Sequence, residues 1–261
     1  MKVVYWVRQD LRLQSNYALS HASTVGEVYP VFVAPKNIGG ASKWWLHQSL
    51  ESLGEAYQNK GIALALAAGD AIECITTLSK ALGADLVVWN RVYTPEGIKL
   101  GEAMRNALDE LQIKHRSFNS QLLLEPSNVL NKQGTPFKVF TPFWRHCRSF
   151  LAPQSAPKLS VFATQSSDSS AALGSNARSL EELNLAPSNP DWALGFSDFW
   201  TPGEAGAQTQ WQDFLDDNVD DYGDARDFPA LGKTSGLSPH LAWGEISPEQ
   251  IFADCSEAID S

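Results

Sequence analysis

Five short apolar runs recur through residues 1–118, and the segments between them carry helical periodicity. The runs are rich in β-branched and aromatic residues, and the first two read VVYWV (3–7) and EVYPVFVA (27–34). Strands that are apolar on both faces are typical of a parallel sheet that helices cover on both sides. The pattern therefore predicts an α/β fold with a doubly wound, five-stranded parallel sheet of Rossmann-like type.

The remaining elements of this domain follow from the same pattern. Strands are predicted at 62–69, 85–90 and 114–118, and helices at 16–23, 42–61, 70–82 and 95–112. A ligand crevice is expected at the carboxyl ends of the strands. The first strand is followed by RQDLRLQSN, and neither GxGxxG nor GxxxxGK[ST] occurs, which excludes a standard dinucleotide or P-loop site.

The composition shifts to Ser, Ala, Asn and Pro between about 153 and 205, where no period is visible. We interpret this stretch as a connection over the surface that is in part mobile. A helical pattern resumes at 204–229. The predicted division is an α/β domain at 1–130, a partly irregular connection at 131–203, and the first helices of a second, all-α domain at 204–261.

The charge is uneven along the chain. Residues 1–130 carry 12 Lys+Arg and 12 Asp+Glu, whereas residues 131–261 carry 8 and 18, which together give the net charge of −10. An acidic chain is a poor partner for phosphate backbones, so the composition by itself does not indicate a nucleic-acid binder.

Several classes of protein are disfavoured by simple features. The three cysteines are far apart and form no CxxC pair, and the five histidines form no HExxH pair, so no metal site is expected. No apolar run of eighteen residues occurs, and the charged start does not resemble a signal peptide. We therefore expect no membrane segment and a cytoplasmic location.

The segment TSGLSPHLAWGEISPEQ (234–250) contains two helix starts. Ser238 before Pro239 has the N-cap pattern, Ser247 before Pro248 repeats it, and Gln250 would complete a capping box. Helix starts with nearby hydroxyls can hold an anion, most often a phosphate. The local pattern alone favours serines that only cap helices.

Several stretches, in the same order along the whole chain, resemble the photolyase/cryptochrome family. They are WVRQDLRLQSNYAL (6–19), KWWLHQSLESL (43–53), WNRVYTP (89–95), FKVFTPFWR (137–145) and the segment from Tyr222 to Leu241. The resemblance is to the N-terminal portion of a class I-type deoxyribodipyrimidine photolyase. It implies reduced FAD as cofactor, an antenna chromophore in the α/β domain (a pterin or folate, or a deazaflavin), and blue-light-driven repair of cyclobutane pyrimidine dimers in damaged DNA.

Site residues follow from the same resemblance. In the family, the positions matching Tyr222 and the segment 234–238 contact the phosphate and ribitol portion of FAD, and the position matching Arg226 lies near the DNA lesion. The cofactor-binding residues of the segment are Thr234, Ser235, Gly236, Leu237 and Ser238. No catalytic residue is assigned, because the helices that complete the flavin site in the family are expected to follow residue 261.

Weaker candidates lie near the expected crevice. Trp44 and His47 could face an antenna ring, and Arg8 and Asp10 follow the first strand either as ligand-binding residues or as an ion pair. Thr94 stands where many relatives carry a carboxylate, so the identity of the antenna chromophore stays open. Gly97 and Gly101 stand at positions that are often charged in the family. Arg145 and Arg148 are predicted to tether the two domains.

Three functional hypotheses remain open at this point. The chain is part of a photolyase, part of a cryptochrome-type photoreceptor, or a non-enzymatic module that binds a chromophore or nucleotide. In each case the chain alone is expected to be inactive in repair. We also expect an exposed apolar face on the second domain, comprising Trp211, Phe214 and Leu241, which would promote self-association.

Overall fold

The computed structural model describes residues 1–152 and 156–260, the last four of these by their backbone only. Its first part alternates strands and helices as the sequence predicts. The elements are β1 (Lys2–Val7), α1 (Tyr17–Val25), β2 (Glu27–Ala34), α2 (Gly40–Gln58), β3 (Ala65–Ala68), α3 (Ala71–Leu82), β4 (Leu86–Asn90), α4 (Pro95–Glu110) and β5 (Lys114–Phe118).

All five strands are parallel and follow the order β3-β2-β1-β4-β5. This confirms the doubly wound fold. The third strand is shorter than predicted, because the Ile62 N–H donates to the carbonyl of Tyr57 at the end of α2 and the Ala63 N–H donates to the side chain of Gln165. Those two residues are therefore not available to pair with β2.

Each face of the sheet is covered by its own apolar cluster. Alternate residues of β1 point to opposite faces, so Val3 and Tyr5 belong to one cluster and Val4 and Trp6 to the other. The first cluster includes α1 and α2, and the second includes α3 and α4. Their fully buried helical members include Leu19, Leu46, Leu50, Ile75, Leu78 and Met104.

The connection between the two domains is more ordered than the sequence suggests. It contains α5 (Phe140–Arg148), α6 (Ser169–Leu173) and several 3₁₀ turns. Leu173 and Leu185 are buried in the two clusters of the sheet, and the N–H of Arg178 donates to the carbonyl of Leu66. The connection therefore covers core as well as surface; its part at 153–155, where we expected irregular chain, lies outside the described residues.

The last part of the chain is helical, with α7 (Glu204–Asp217), α8 (Tyr222–Ala225), α9 (Ser238–Trp243) and α10 (Pro248–Asp260). The expected exposure of its apolar face is wrong for two of the three residues, since Trp211 and Phe214 are buried. They pack with Leu237 and Ile246, and the Trp211 Nε1–H donates to the Asp254 carboxylate of α10 at 2.7 Å. Only the third, Leu241, is exposed.

None of the helices in residues 1–152 and 156–260 combines the length and apolar character that a bilayer crossing requires.

Candidate functional site

A crevice of about 450 Å³ opens at the carboxyl ends of the first four strands. This is where an open α/β sheet binds its ligands. Its walls are mainly apolar and its few polar groups converge from different loops, as in most small-molecule sites. The aromatic and aliphatic lining includes Trp6, Phe32, Ile38, Leu100 and Trp243, and the charged lining includes Arg8, Lys36, Asp70 and Glu96.

Arg8 is held in a fixed orientation at this crevice. Its guanidinium carbon lies 4.4 Å from the ring centroid of Trp6, and one nitrogen donates to the carbonyl of Gly97 at 3.4 Å. Burial lowers the pKa of Arg8 to about 10, and the side chain is still cationic at neutral pH. The crevice therefore presents one oriented positive charge beside an aromatic face.

The alternative of an Arg8–Asp10 ion pair is wrong. The Asp10 carboxylate instead accepts hydrogen bonds from the backbone N–H of Arg8 at 2.6 Å, from the Tyr5 hydroxyl at 2.5 Å and from the Asn90 amide at 2.5 Å. Asp10 is buried, so these bonds compensate its desolvation. Asp10 shapes the loop after β1, whereas Arg8 faces the crevice.

The loop after β4 explains two departures from the family pattern. Thr94 caps α4, because its Oγ1 accepts from the Gly97 N–H at 3.1 Å. A Cβ on Gly97 would lie 2.6 Å from Cγ1 of Val92, so no larger side chain fits there without a shift. At Gly101 a Cβ would meet the indole nitrogen of Trp89 at 3.9 Å, which is ordinary contact.

Trp44 and His47 do not line the crevice. They belong to a separate pocket of about 290 Å³, together with Gln48 and Asp191. The Nδ1 of His47 is buried and has no hydrogen-bond partner among the described residues. Over the same part of the chain, no group of three or more His, Cys, Asp or Glu side chains is arranged to hold a metal ion.

The segment 234–238 forms an exposed loop on the helical part. Leu237 is its anchor, since its side chain is buried in the cluster with Trp211 and Phe214. Thr234 and Ser238 are exposed. Within the described ranges, the hydroxyls of Thr234, Ser235 and Ser238 take part in no hydrogen bond, so they are free to bind a ligand.

Tyr222 and Arg226 lie beside this loop. The Tyr222 ring contacts Phe214 edge-on, with centroids 5.7 Å apart, and Phe214 belongs to the cluster that anchors Leu237. An ion pair of 3.1 Å between Lys233 and Asp221 further ties the two segments together. The Arg226 guanidinium carbon lies 5.9 Å from the Tyr222 ring centroid. We call Tyr222 with residues 234–238 the exposed wall.

The helix starts around this wall differ from the sequence prediction. Ser238 is not an N-cap: α9 begins at Ser238 itself and has no side-chain cap. Ser247 does cap α10, since its Oγ accepts from the Glu249 N–H at 3.2 Å. The capping box is wrong, because the Gln250 amide instead pairs with that of Gln208, at 2.7 and 3.1 Å. Anion binding here would rest on loop hydroxyls, not on helix ends.

A set of buried polar contacts joins the helical part to the α/β domain, and sequence reasoning missed it. Glu245 is fully buried and accepts hydrogen bonds from three side chains: the indole of Trp45 at 2.9 Å, the ring nitrogen Nδ1 of His240 at 2.5 Å, and the hydroxyl of Ser49. Trp45 and Ser49 belong to α2, whereas His240 belongs to α9. The carboxylate therefore joins the two parts of the chain.

Arg12 and Glu204 add two more links. The buried Arg12 guanidinium donates to the carbonyls of Gly244 at 2.7 Å and Ser120 at 2.8 Å. Glu204 at the start of α7 accepts from the N–H groups of Leu13 and Gln14, each at 2.8 Å. Burial raises the pKa of Glu204 above its ordinary range. We call Arg12, Glu204, Gly244 and Glu245 the interdomain dock.

One sequence signal could have pointed to the dock. Arg12 stands between Leu11 and Leu13, and Glu245 stands between Gly244 and Ile246. A charged residue inside a short apolar run is a candidate for a buried, fully hydrogen-bonded position. Its partners, however, are far away in sequence and leave no local trace.

Comparison with known proteins agrees with this architecture. The family model described as DNA photolyase matches residues 3–159, which is more than half of the chain. The chain belongs to the DNA photolyase family. The match covers the five strands and α5, and the relatives extend it through the dock and the exposed wall.

The relatives are photolyases and cryptochromes. The deoxyribodipyrimidine photo-lyase of Agrobacterium fabrum is 42% identical over 96% of this chain and 52% of that protein. Cryptochrome-2 of Arabidopsis thaliana is 32% identical over 96% of this chain and 42% of that protein. This chain thus spans about half the length of these two relatives.

A solved structure has the same fold. The bacterial class III photolyase from Agrobacterium tumefaciens superposes with a TM-score of 0.87 at 42% identity, over 96% of this chain and 52% of that one. Its printed class is III, whereas the motif resemblance was to class I-type enzymes.

Proposed function

We propose that this chain is the N-terminal part of a blue-light-driven DNA photolyase that repairs cyclobutane pyrimidine dimers. The observation that carries the proposal is the 42% identity to a deoxyribodipyrimidine photo-lyase, which extends over 96% of the chain. The lower identity of 32% to a cryptochrome favours repair over a photoreceptor role. The cytoplasmic location expected from the sequence stays a prediction.

The exposed wall fits part of an FAD site. Three hydroxyls without partners among the described residues and a glycine backbone at φ +65 can approach a phosphate closely, and Tyr222 adds an exposed ring and hydroxyl. Tyr222, Thr234, Ser235, Gly236 and Ser238 would hold the phosphate and ribitol portion, while Leu237 anchors the loop from the core. When bound and reduced, FAD supplies the light-driven electron for dimer splitting.

The crevice at the strand ends is the proposed antenna site. Its volume of about 450 Å³ suits a planar chromophore, and Arg8 offers a cation for an anionic or carbonyl-bearing ring system. The pocket of about 290 Å³ that Trp44 and His47 line is the second candidate. The antenna chromophore in either site could be a pterin, a folate or a deazaflavin.

Arg226 is proposed to lie near DNA that carries the pyrimidine dimer. It is exposed, and its side chain is placed beside Tyr222, next to the proposed flavin-contact loop. The neighbouring carboxylates make this face a weak electrostatic partner for a phosphate backbone by itself. Most of the affinity for DNA would therefore come from protein outside these residues.

The first test is a titration with FAD, followed by flavin fluorescence anisotropy and gel filtration. We expect weak, saturable binding by the chain, reduced at least about fivefold by Thr234→Val with Ser238→Ala, since each lost hydroxyl removes a bond to a charged ligand. The matched control is Thr77→Val with Ser188→Ala, two exposed hydroxyls elsewhere. Equal affinity of all three proteins would remove the flavin assignment from this loop.

The second test checks the expected inactivity of the chain alone. Purified chain with FAD and a reductant is exposed to blue light in the presence of dimer-containing DNA. We expect no repair by the chain alone, and measurable repair would refute that expectation. Absorption spectra after soaking with methenyltetrahydrofolate or a deazaflavin would identify the antenna, and Leu100→Trp should displace it if it binds in the strand-end crevice.

A further inference from the structure

The surface of α5 differs in charge from the rest of the second half of the chain. Between Glu125 and Asp168 there is no Asp or Glu, although the net charge of the protein is −10. The same stretch holds five Lys or Arg residues: Lys132, Lys138, Arg145, Arg148 and Lys158. Cations are therefore concentrated on one segment of an otherwise acidic protein.

The cations of this segment are free to meet a ligand. Arg145 and Arg148 are exposed and form no ion pair within the part of the chain that the structure describes, so the interdomain tether stays a prediction. Lys132 and Lys138 are exposed as well. Four unpaired cations within seventeen residues attract a polyanion more strongly than any one phosphate.

Flat aromatic faces accompany these charges. Phe140 and Trp144 are 69% and 43% exposed, and their rings are nearly parallel, with an interplanar angle of 9° and centroids 6.4 Å apart. One helical turn away, Phe137 packs against His146 with centroids 5.3 Å apart. Exposed rings beside cations form the kind of platform on which unpaired bases stack.

A hollow of about 620 Å³ lies beside α5, and neither Phe140 nor Trp144 lines it. It is bounded by the turn after residue 130 and by α5, and its lining includes Lys132, Phe137, Arg145 and His146. Its size is that of a nucleotide site, and it combines cations for a phosphate with a ring for a base. Duplex DNA hides its base faces, whereas a single strand can offer both groups at once.

We propose that the α5 surface, comprising Lys132, Phe137, Phe140, Trp144, Arg145 and Arg148, binds single-stranded nucleic acid. This surface shares no residue with the exposed wall, the strand-end crevice or Arg226. The proposal is independent of flavin and of light, and it predicts sequence-tolerant binding whose affinity falls with salt. The other possible occupant of this apolar face, a protein chain, becomes an outcome of the test.

The test is a titration of fluorescein-labelled dT12 with the purified chain, followed by anisotropy in the dark without flavin. We expect log K to fall with log salt at a slope of about −3, since each of four neutralised phosphates contributes about −0.7. Lys132→Gln with Arg145→Gln should reduce the slope by about 1.4. Lys60→Gln with Lys99→Gln, which removes two exposed cations of the α/β domain, should leave it unchanged.

The aromatic part is tested separately. Phe140→Ser with Trp144→Ser should weaken binding about tenfold at unchanged salt slope, because stacking contributes affinity without releasing counterions. The control is Phe199→Ser with Leu194→Ser, which removes two other exposed apolar side chains. All variants change exposed residues, and circular dichroism checks that they are folded.

Several results would overturn the proposal. These are no binding of either dT12 or rU12, duplex bound as tightly as single strand, or equal losses in the control and test variants. Self-association that the Phe140 and Trp144 changes abolish, without nucleic-acid binding, would assign the face to a protein contact instead. Parallel titrations with dT12 and rU12 identify the polymer, and binding of at least one is required.

Discussion

The interdomain dock and the exposed wall use polar side chains in opposite ways. In the dock, Glu245 is fully buried and each of its bonding partners belongs to the protein. In the wall, the hydroxyls of Thr234, Ser235 and Ser238 have no partner among the described residues, and Thr234 and Ser238 face solvent. Glu245 and the three hydroxyls nevertheless lie in the same segment of 17 residues, 234–250.

The difference distinguishes polar side chains that stabilise the fold from polar side chains that are available to a ligand. A buried polar group costs free energy unless it is hydrogen-bonded, so a satisfied buried carboxylate indicates a structural role. An exposed hydroxyl costs nothing while it waits for a ligand. Glu245 is therefore satisfied by residues that the structure describes, whereas the role proposed for the wall requires a ligand.

The largest expected effect is on the dock, from Glu245→Ala. The change leaves the indole N–H of Trp45 and the ring nitrogen of His240 buried without an acceptor. We expect the free energy of unfolding to fall by about 4 kcal/mol, since each of the two buried groups left without a partner costs about 2 kcal/mol. Urea unfolding, followed by tryptophan fluorescence, measures it.

Two companion variants sharpen this result. Glu245→Gln keeps one acceptor oxygen and should recover part of the loss, and Glu51→Ala removes an exposed carboxylate of α2 and should change stability by less than about 0.5 kcal/mol. A Glu245→Ala protein as stable as the Glu51→Ala protein would show that the dock does not hold the two parts together.

The next effect compares two glycines with the same backbone conformation. Gly244 in the dock has φ +66 and Gly236 in the wall has φ +65. A Cβ on Gly244 would lie 2.1 Å from the carbonyl oxygen of Gln9, whereas on Gly236 it would meet only the flexible end of Gln210 at 3.3 Å. Substitution by Ala therefore adds a clash with backbone in the dock alone.

We expect Gly236→Ala to cost about 1 kcal/mol, from the strain of a left-handed residue with a Cβ. Gly244→Ala should cost about 3 kcal/mol, since overpacking adds about 2 kcal/mol to that strain. Thermal and urea unfolding of the two single variants give the comparison. Equal losses would mean that the approach of Gly244 to the β1 loop is not tight in solution.

The same contrast explains what could be predicted from the sequence. Strand runs such as 27–34 and the Asp70 cap of α3 were identified because their signals are local: apolar periodicity, and a side chain that accepts from the N–H groups two and three residues on. The positions of Tyr222 and 234–238 came from family resemblance. The structure groups them on one cluster, which is consistent with a shared role but does not test their contact with flavin.

The dock could not be predicted because its contacts are remote in sequence. Arg12 and Gly244 are 232 residues apart, and Glu245 and Trp45 are 200 apart. The capping predictions for Ser238 and Gln250 were wrong for a related reason. The sequence pattern of both residues fits a cap, but α9 begins at Ser238 itself, after Leu237, and the Gln250 amide bonds to Gln208. Local propensity gives way where tertiary partners are better placed.

A smaller effect should appear in the pH dependence of the dock. Burial raises the pKa of Glu204 above its ordinary value of 4.5, so the folded state takes up a proton at a higher pH than the unfolded state. The contribution of Glu204 to the free energy of unfolding therefore increases as the pH falls through the folded pKa towards 4.5, and decreases as the pH rises.

Glu204→Gln removes this titration, although it also lowers stability at every pH by removing an acceptor for Leu13 or Gln14. Between pH 7 and pH 5 the wild-type protein should gain stability relative to the variant, since the folded state takes up the Glu204 proton at a higher pH than the unfolded state does. Urea unfolding at both values measures it. A constant difference, or one of opposite sign, would contradict the raised pKa.

The smallest expected effect is on the wall, and it completes the comparison. Thr234→Ala with Ser238→Ala should leave the free energy of unfolding within about 0.5 kcal/mol of the wild-type value, because neither hydroxyl bonds to the described part of the chain and both residues are exposed. A loss above about 1 kcal/mol would mean that these hydroxyls support the fold, as Glu245 does. Unchanged stability combined with weaker flavin binding is the result that only a ligand-binding wall can give.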